Sequence, residues 1–360
     1  MYLKNLTLFQ FKNHSESDYI FNEKINCFVG NNGVGKTNIL DAIHYLSFTK
    51  SYFNYIDSQN IQFKNDFFMI KGNFIKNENN EEIQCNFDNN SGKIIKKNKK
   101  KYKKFSEHIG QYPLIIISPT DSNLILEGSE IRRKYLDSSI SQYKKGYLQT
   151  LINYNKVLKQ RNFLLKQFFE RNYFDEIILE RYNNEMIKYA EIIYEERKSF
   201  INKLSLVFNK YYSIISDAQE NVSITYHSQL NENNINTLLK NSLSKDRVSQ
   251  RTSTGIHKDD IIFNMNEYPI KKIGSQGQQK SFLIALKLAQ YDFISNKIGY
   301  KPIILLDDIF DKLDDKRVKQ LVSFTNDGFF GQVFITDTHQ KRCEDILNST
   351  KVEFKLIKIN

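Results

Sequence analysis

The spacing of apolar residues changes along the chain and divides it into segments of different type. Residues 1–120 contain short apolar runs such as Phe67–Ile70, bounded by Asn, Asp and Gly, which is typical of strands. Across residues 130–245 apolar positions recur every three or four residues, and no proline occurs between Pro119 and Pro269. The pattern predicts a β-rich lobe followed by a helical lobe.

The pattern returns to alternating strands and helices after residue 255. Ile261–Phe263, Ile303–Leu306 and Val333–Ile335 are strand-like, whereas Ser281–Ala289 is helix-like. We therefore expect an α/β fold that is split by a helical insertion. The predicted segments are an N-terminal half at 1–125, an inserted helical lobe at 126–250 and a C-terminal half at 251–360.

Composition adds constraints on partners and compartment. The net charge of +11 over 360 residues favours a polyanionic partner, although abundant Lys, Asn and Ile also indicate codon bias. Cys27, Cys85 and Cys343 are widely spaced and fit reduced, buried thiols. Because no signal peptide or membrane-length apolar run is visible, we expect a cytoplasmic protein with no membrane partner.

One segment has the spacing of a phosphate-binding loop. It follows the apolar run 25–29 and precedes a helix-like segment, which is the context that such a loop requires. Glycines let backbone N–H groups surround phosphates, Lys36 neutralises them, and the Thr37 hydroxyl binds Mg²⁺. The predicted ATP contacts are Gly30, Asn31, Asn32, Gly33, Val34, Gly35, Lys36 and Thr37.

Two carboxylates follow the apolar run 303–306. Asp307 is expected to hold Mg²⁺ and Asp308 to position or deprotonate the attacking water, as metal-assisted phosphoryl transfer requires. Taken alone, the same residues could form a solvated acidic turn. Together with the phosphate-binding loop they predict an ATPase that uses ATP and Mg²⁺ as cofactors.

A third motif begins at Ser275 and precedes the helix-like segment. Ser275 and Gly277 could form an anion site at a helix N-terminus, or Ser275 could be an ordinary N-cap. The order of the three motifs resembles the ATP-binding-cassette class. That resemblance implies a head-to-head homodimer that forms with ATP, in which Ser275, Gly277 and Gln278 contact the partner's ATP and Asp314 lies in the dimer-contacting D-loop.

The cassette class also uses a switch histidine after the strand 333–335. Asp337 occupies the aligned position and His339 lies two residues further on. The sequence does not decide between them.

Three further segments narrow the resemblance. Leu126–Asp137, Tyr154–Lys166 and Thr254–Asp260 resemble the RecF family of bacterial recombination mediators, in family order across nearly the whole chain. The resemblance implies an ABC-type ATPase head with an inserted α-helical lobe. Individually, Arg161, His257 and their neighbours could equally serve helix packing or a turn.

The resemblance also implies a function in DNA replication and in recombinational repair of DNA damage during the SOS response. ATP closes a dimer on double-stranded DNA at a gap, RecO and RecR are engaged, and RecA is loaded. Hydrolysis is expected to be slow and to act as a conformational switch, because Asp308 stands where fast cassette enzymes have Glu. We expect DNA to stimulate it.

Basic residues are the candidates for contacting DNA. Between Lys93 and Lys104 eight of twelve residues are lysine, which fits either phosphate contacts or a solvated hairpin. The candidate DNA-binding residues are Lys96, Lys97, Lys99, Lys100, Lys101, Arg132 and Arg133.

Two other functions share parts of these motifs. A chromosome-organising ATPase of the same superfamily would need long heptad arms, and a nuclease would need an added metal-carboxylate domain; neither pattern is present. A transporter's nucleotide-binding subunit would have a shorter helical insertion and no lysine run.

Overall fold

The structure is a computed structural model that describes residues 1–216, 220–309, 315–350 and 352–359. The chain forms two compact units. The first comprises Met1–Asp121, Ile214–Ser216 and Lys280–Asn360, and the second comprises Ser122–Ser213 and Asp217–Gln279. Residues 251–279, which we expected with the C-terminal half of the ATPase lobe, thus cluster with the second unit.

The described residues contain a strand-rich stretch, a helix-rich stretch and a final stretch in which strands and helices are mixed. The strands are β1 Tyr2–Phe11, β2 His14–Ile20, β3 Ile25–Val29, β4 Phe67–Lys76, β5 Asn79–Asp88, β6 Gly92–Lys97, β7 Lys100–Lys101, β8 Leu114–Ile117, β9 Val222–His227, β10 Asp260–Met265, β11 Tyr268–Pro269, β12 Ile303–Leu306, β13 Val333–Asp337 and β14 Phe354–Lys358. The helices are α1 Lys36–Phe48, α2 Asn123–Leu126, α3 Ser129–Ser141, α4 Tyr147–Glu170, α5 Glu176–Ser216, α6 Ile235–Asn241, α7 Leu243–Ser249, α8 Ile270–Ile273, α9 Gln276–Ile298, α10 Asp315–Asn326 and α11 Gln340–Asn348.

A six-stranded antiparallel sheet forms the β-rich part of the first unit, in the order β2-β1-β4-β5-β6-β7. Along β4, Phe68, Ile70 and Phe74 are buried and alternate with less buried residues. Such alternation is expected when one face of a sheet packs on a core. The predicted β-rich lobe is confirmed.

A five-stranded parallel sheet, in the order β14-β3-β13-β12-β8, forms the other layer of the first unit. Every residue of β3, β8, β12 and β13 is buried. Parallel strands covered on both faces carry continuous apolar runs, which explains why these segments do not alternate. One hydrophobic core joins α1 to both sheets and includes Leu6, Phe28, Ile43, Phe68 and Leu305.

The second unit contains the long helices α4 and α5 and the antiparallel sheet β11-β10-β9. The expectation of helices throughout 130–245 is wrong at Val222–His227, which forms β9. Its buried residues Val222, Ile224 and Tyr226 alternate with exposed ones, and β10 supplies the pairing strand. This pairing also explains why residues after 251 belong to the second unit.

Two general features of the chain concern its cysteines and its helices. Cys27, Cys85 and Cys343 are buried free thiols. Within the described part of the chain, none of the helices combines the length and apolar character needed to cross a bilayer.

The segments that resemble the RecF family meet inside the second unit. Arg161 on α4 donates to the Asp246 carboxylate and the Thr252 hydroxyl, each at 2.8 Å, and the Arg161 and Asp246 side chains are fully buried. Asn162 accepts hydrogen bonds from the Thr252 N–H and hydroxyl. These polar residues therefore join α4 to α7 and to the segment that follows α7.

His257 and Arg197 form further contacts around the segment that follows α7. Tyr154 and His257 are hydrogen-bonded at 2.8 Å, and burial lowers the pKa of His257 to about 4, so its ring is neutral at pH 7. Arg197 on α5 pairs with Asp137 and Asp259 at 2.9 and 3.0 Å. These contacts support the packing alternative for Arg161 and the turn alternative for His257, whose Nε2 lies 3.0 Å from the Thr252 carbonyl oxygen.

The buried Arg161–Asp246 ion pair predicts that Asp246→Ala lowers the free energy of unfolding strongly. Removing the carboxylate leaves the buried Arg161 guanidinium without its anion, which costs about 3–5 kcal/mol in other proteins. Urea unfolding followed by circular dichroism measures the loss. In the control Glu170→Ala, the exposed Lys166–Glu170 pair at 3.6 Å is removed, and we expect a change within about 0.5 kcal/mol. Equal effects in the two variants would contradict the prediction.

Candidate nucleotide-binding site

The predicted phosphate-binding loop connects β3 to α1, as expected. Gly33 and Gly35 have φ angles of 83° and 105°, in the left-handed region that glycine adopts without strain. The Gly35 carbonyl accepts the first hydrogen bonds of α1, from Asn38 and Ile39. The loop therefore ends at a helix N-terminus, where the helix dipole and the first N–H groups favour an anion.

The turn between β1 and β2 supports this loop from outside. Asn13 Nδ2 donates to the Val34 carbonyl at 3.0 Å, and Asn38 Nδ2 donates to Asn13 Oδ1 at 2.7 Å. His14 Nε2 lies 3.2 Å from the Gly35 carbonyl, and burial lowers the pKa of His14, so the neutral ring donates. A Cβ on Gly35 would lie within 2.7 Å of Asn13 and His14 side-chain atoms.

Sequence reasoning missed this support. Asn13 and His14 lie far from the loop in sequence, and their only local signal is a polar turn between two strands. Their role depends on the β1–β2 turn meeting the loop in three dimensions.

Lys36 points back into the loop. Its Nζ donates to the carbonyl oxygens of Gly30 and Asn31 at 2.7 and 2.8 Å, and the residue is only 8% exposed. The loop packs so closely that a Cβ on Gly30 would lie 2.3 Å from the Ile359 carbonyl oxygen. The ammonium group is thus held where phosphates bound by the loop would be neutralised.

Asp307 lies at the end of β12, beside the loop. Its Oδ1 accepts from the Thr37 hydroxyl at 2.8 Å and from the Thr336 hydroxyl at 2.9 Å. Burial raises the pKa of Asp307, and the two hydroxyl hydrogen bonds and Lys36 partly oppose that shift. A buried carboxylate beside a half-buried hydroxyl fits Mg²⁺, which needs few protein ligands because water and phosphates supply the rest. The described residues contain no cluster of three or more His, Cys, Asp and Glu side chains suited to another metal site.

Asp308 follows with a strained backbone. Its φ of 50° is unusual for a residue other than glycine, and its N–H donates to the Thr336 hydroxyl at 2.9 Å. Such backbone outliers cluster at functional sites, where the surrounding structure enforces them. Thr336 thereby positions both carboxylate residues, a role that the sequence did not indicate.

The two candidates for the switch position differ in environment. Asp337 ends β13 and is buried, and its carboxylate accepts two hydrogen bonds from Arg342, at 2.8 and 2.7 Å. The His339 N–H donates to Asp337 at 2.6 Å, while the His339 side chain is exposed. Asp337 is therefore the residue integrated into the edge of the sheet.

The motif at Ser275 belongs to the second unit and forms the start of α9. Gln278 N–H lies 3.3 Å from Ser275 Oγ, and Ser275 N–H donates to Gln278 Oε1 at 2.8 Å, which is a capping box. Gln278 also donates to Glu220 at 2.8 Å. The structure thus shows the N-cap geometry, and an exposed Ser275 at a helix N-terminus remains compatible with an anion site.

The candidate basic residues separate into two groups. The predicted lysines form the hairpin β6–β7 in the first unit. Arg132 in the second unit pairs with Asp260 at 2.6 and 2.9 Å, and Arg133 donates to Ser129 and to the Asp259 carbonyl. Both guanidinium groups are thus used within the second unit. The D-loop candidate Asp314 lies outside the described residues.

The Asp307 environment predicts opposite effects of Asp307→Asn on stability and activity. Because the folded state raises the pKa of the Asp307 carboxyl, ionisation of that carboxyl lowers the free energy of unfolding. The loss is absent well below pH 4, where the carboxyl is protonated in both states, and it grows as the pH rises through the folded pKa. At pH 7 without Mg²⁺, Asp307→Asn should therefore melt higher than wild type. ATP hydrolysis should fall at least about 100-fold.

Thermal melting with and without Mg-ATP, together with phosphate release, measures both effects. Asp345→Asn, at an exposed position in the first unit, should change neither. A melting temperature below wild type without Mg²⁺ would show that the carboxylate is not under electrostatic strain.

Comparison with known proteins places the whole chain in one family. The family described as RecF/RecN/SMC N terminal domain matches residues 2–357. Proteins named DNA replication and repair protein RecF are similar throughout: that of Flavobacterium johnsoniae is 49% identical over 100% of both chains, and that of Parabacteroides distasonis is 45% identical over 100% of this chain and 97% of its own.

The fold agrees with these relatives. A solved structure described as the recombination mediator protein RecF-ATP in the RecFOR pathway is 31% identical, covers 99% of this chain and 95% of its own, and superposes with a TM-score of 0.90. The expected α/β ATPase-head fold with inserted helices is confirmed. The chain therefore belongs to the RecF family of DNA replication and repair proteins.

Proposed function

We propose that the first unit binds and hydrolyses ATP. The observation that carries the proposal is the convergence of the Lys36 ammonium, the Thr37 hydroxyl and the Asp307 carboxylate beside a glycine loop at a helix N-terminus. The loop residues 30–37 hold the phosphates with backbone N–H groups, and Lys36 exchanges its two carbonyl partners for phosphate oxygens. Thr37 and Asp307 would hold Mg²⁺, which would supply positive charge against the transferred phosphoryl group.

Asp308 is the residue that we propose to position or deprotonate the attacking water. Its side chain is short, and its backbone is held by Thr336 in a left-handed conformation. A carboxylate that reaches water poorly gives slow turnover, so the site is suited to act as a conformational switch. We propose separately that DNA stimulates hydrolysis. Turnover of many molecules per second without DNA would contradict this role.

The switch is proposed to work through dimerisation. Each chain carries one phosphate-binding loop and one segment of the signature type, so two chains are needed to complete two sites. Ser275 and Gly277 at the exposed start of α9 contact the partner's γ-phosphate together with Gln278, and Asp314 contacts the partner chain. The solved relative is described with ATP, which supports nucleotide control of the family.

The hairpin β6–β7 is proposed to contact the phosphates of double-stranded DNA. Its cross-strand pairs are Lys97 opposite Lys100 and Lys96 opposite Lys101, and like charges directly opposite each other are destabilising. Lys97 is partly neutralised by Glu81 at 2.8 Å, whereas Lys99, Lys100 and Lys101 are exposed. A polyanion would relieve this repulsion.

We do not propose that Arg132 and Arg133 contact DNA. Their guanidinium groups are used by carboxylate, carbonyl and hydroxyl groups of the second unit. These bonds hold both guanidinium groups against neighbouring residues of the second unit. We assign them to the packing of α3 against β10.

Partners follow from the family. The solved relative is described as a recombination mediator in the RecFOR pathway, and the curated relatives are named for DNA replication and repair. We propose that the dimer acts at gapped DNA in the cytoplasm, engages RecR and RecO, and helps to load RecA.

The Lys36→Met variant tests the nucleotide switch. Sedimentation with Mg-ATP and gapped DNA should convert wild type from monomer into a DNA-bound dimer, whereas Lys36→Met, which loses the phosphate-neutralising charge, should stay monomeric at the same ATP concentration. Lys4→Met changes an exposed lysine in the first unit and should behave as wild type. If the sedimentation mass of the wild-type protein is the same with and without ATP, the proposed dimerisation switch is wrong.

The hairpin variant Lys99→Glu/Lys100→Glu/Lys101→Glu tests the duplex contact. We expect affinity for duplex DNA to fall at least tenfold and the salt dependence, as the slope of log K against log salt, to decrease by about 2.7 for three lost contacts. Fluorescence anisotropy over a salt series measures both. The control Lys4→Glu/Lys24→Glu/Lys358→Glu has the same charge change at exposed positions of the first unit, and an equal loss there would indicate a general charge effect.

A further inference from the structure

Helix α4 has one face buried in the second unit and one face exposed. The buried residues Tyr154, Val157, Arg161, Leu165 and Phe168 recur every three or four positions. At 100° per residue they lie within a narrow arc on one side of the helix. The interactions of Arg161 show that the segment around α7 packs against this side.

Buried ion pairs fix the inner side of α4 and its surroundings. Arg161 on α4 pairs with Asp246, and Arg197 on α5 pairs with Asp137 and Asp259. Breaking such pairs is costly, so they hold the two helices in a defined geometry. A helix fixed in this way presents its outer side as a rigid surface.

The opposite face carries a regular row of exposed residues. Ile152, Lys156, Lys159, Phe163 and Lys166 follow the spacing i, i+4, i+7, i+11 and i+14, and all five are exposed. They lie within about 80° of each other around the helix and span about 21 Å along it. We call this row the α4 stripe.

The charge of the stripe is of one sign. The only acidic residue in α4 is Glu170, which lies at its last position, 3.6 Å from Lys166 in an exposed ion pair. Helix α5 serves as a comparison, because the same composition bias gives it exposed charges of both signs. There, five exposed glutamates balance five exposed cations: Glu176, Glu180, Glu185, Glu191 and Glu195 against Arg181, Lys188, Lys198, Lys203 and Lys210. The lysine-only row on α4 therefore needs another explanation.

Large apolar side chains interrupt the lysines. Phe163 is 62% exposed between Lys159 and Lys166, and Ile152 is 46% exposed at the other end of the row. Solubility does not favour an exposed phenylalanine in a row of lysines. A flat aromatic ring between cations is the arrangement with which proteins hold single-stranded nucleic acid, because bases stack on the ring while lysines contact the backbone.

We propose that the α4 stripe binds single-stranded DNA. Lys156, Lys159 and Lys166 contact successive backbone phosphates, and Phe163 stacks on an unpaired base. Duplex DNA fits less well, because its bases are stacked inside and cannot reach a ring on a helix surface. The proposal rests on the proposed function at gapped DNA, where an unpaired strand adjoins the duplex, and it adds where that strand binds.

The chain offers a direct probe, because it contains no tryptophan. In the full-length variant Phe163→Trp, oligothymidylate should quench the fluorescence of the single indole by stacking, and duplex DNA should not. The control Phe169→Trp places the indole at another exposed position of α4, about 100° away from the middle of the stripe, and should show little quenching. Equal quenching at the two positions would overturn the proposal.

Charge reversal tests the lysines independently. Lys156→Glu/Lys159→Glu/Lys166→Glu should weaken oligothymidylate binding at least tenfold and lower the salt slope by about 2, as expected for three phosphate contacts to a single strand. Lys188→Glu/Lys203→Glu/Lys210→Glu on α5 has the same charge change and should lower affinity much less. Equal losses would assign the effect to net charge and overturn the proposal.

Two other occupants give distinguishable results. If charge reversal on the stripe abolishes duplex binding while single strands do not quench the indole of the Phe163→Trp variant, the occupant is duplex DNA. A blue shift of that indole's emission with an acidic amphipathic peptide, without quenching by DNA, would identify a protein partner. Either result overturns the single-strand assignment. Because quenching is measured without nucleotide, it is independent of whether ATP drives dimerisation.

Discussion

Parallel pairing of β12 with β13 and of β13 with β3 is the constraint on which the candidate site of the first unit depends. Parallel strands end at the same edge of a sheet, so this pairing brings the phosphate-binding loop after β3 beside Asp307 after β12 and Thr336 near the end of β13. Thr37 and Asp307 are 270 residues apart in sequence and 2.8 Å apart at this edge. Without the register of these strands, the loop would have no carboxylate opposite it.

The edge of the parallel sheet holds a buried carboxylate whose charged form is disfavoured. Asp307 is buried with its pKa raised, Lys36 is held by carbonyl oxygens, and Asp308 has a left-handed backbone. Under the proposed function, a bound cation would offset the penalty on the Asp307 charge. Such a difference between the empty and the occupied site would let ATP act as a switch, because a ligand shifts an equilibrium only by its differential affinity for the two states.

The sequence by itself determined the features that depend on neighbouring residues. The glycine loop before α1, the apolar run ending in Asp307 and Asp308, and the helical period of α4 are local patterns, because phosphate binding, parallel strands and helices each impose their own spacing. The strand β9 was missed, since its alternating residues need β10, more than thirty residues away, to form a sheet. Local periodicity does not identify a pairing partner.

Only the tertiary structure decided which polar residues meet. It placed Asn13 and His14 against the loop, Thr336 between Asp307 and Asp308, and Arg132 on Asp260. A charged side chain has the same chemistry in any sequence context, so the sequence could not tell which of these side chains are paired within the fold. Distance and burial made that distinction, because both the desolvation of a charge and its attraction to a partner depend on where the fold places it.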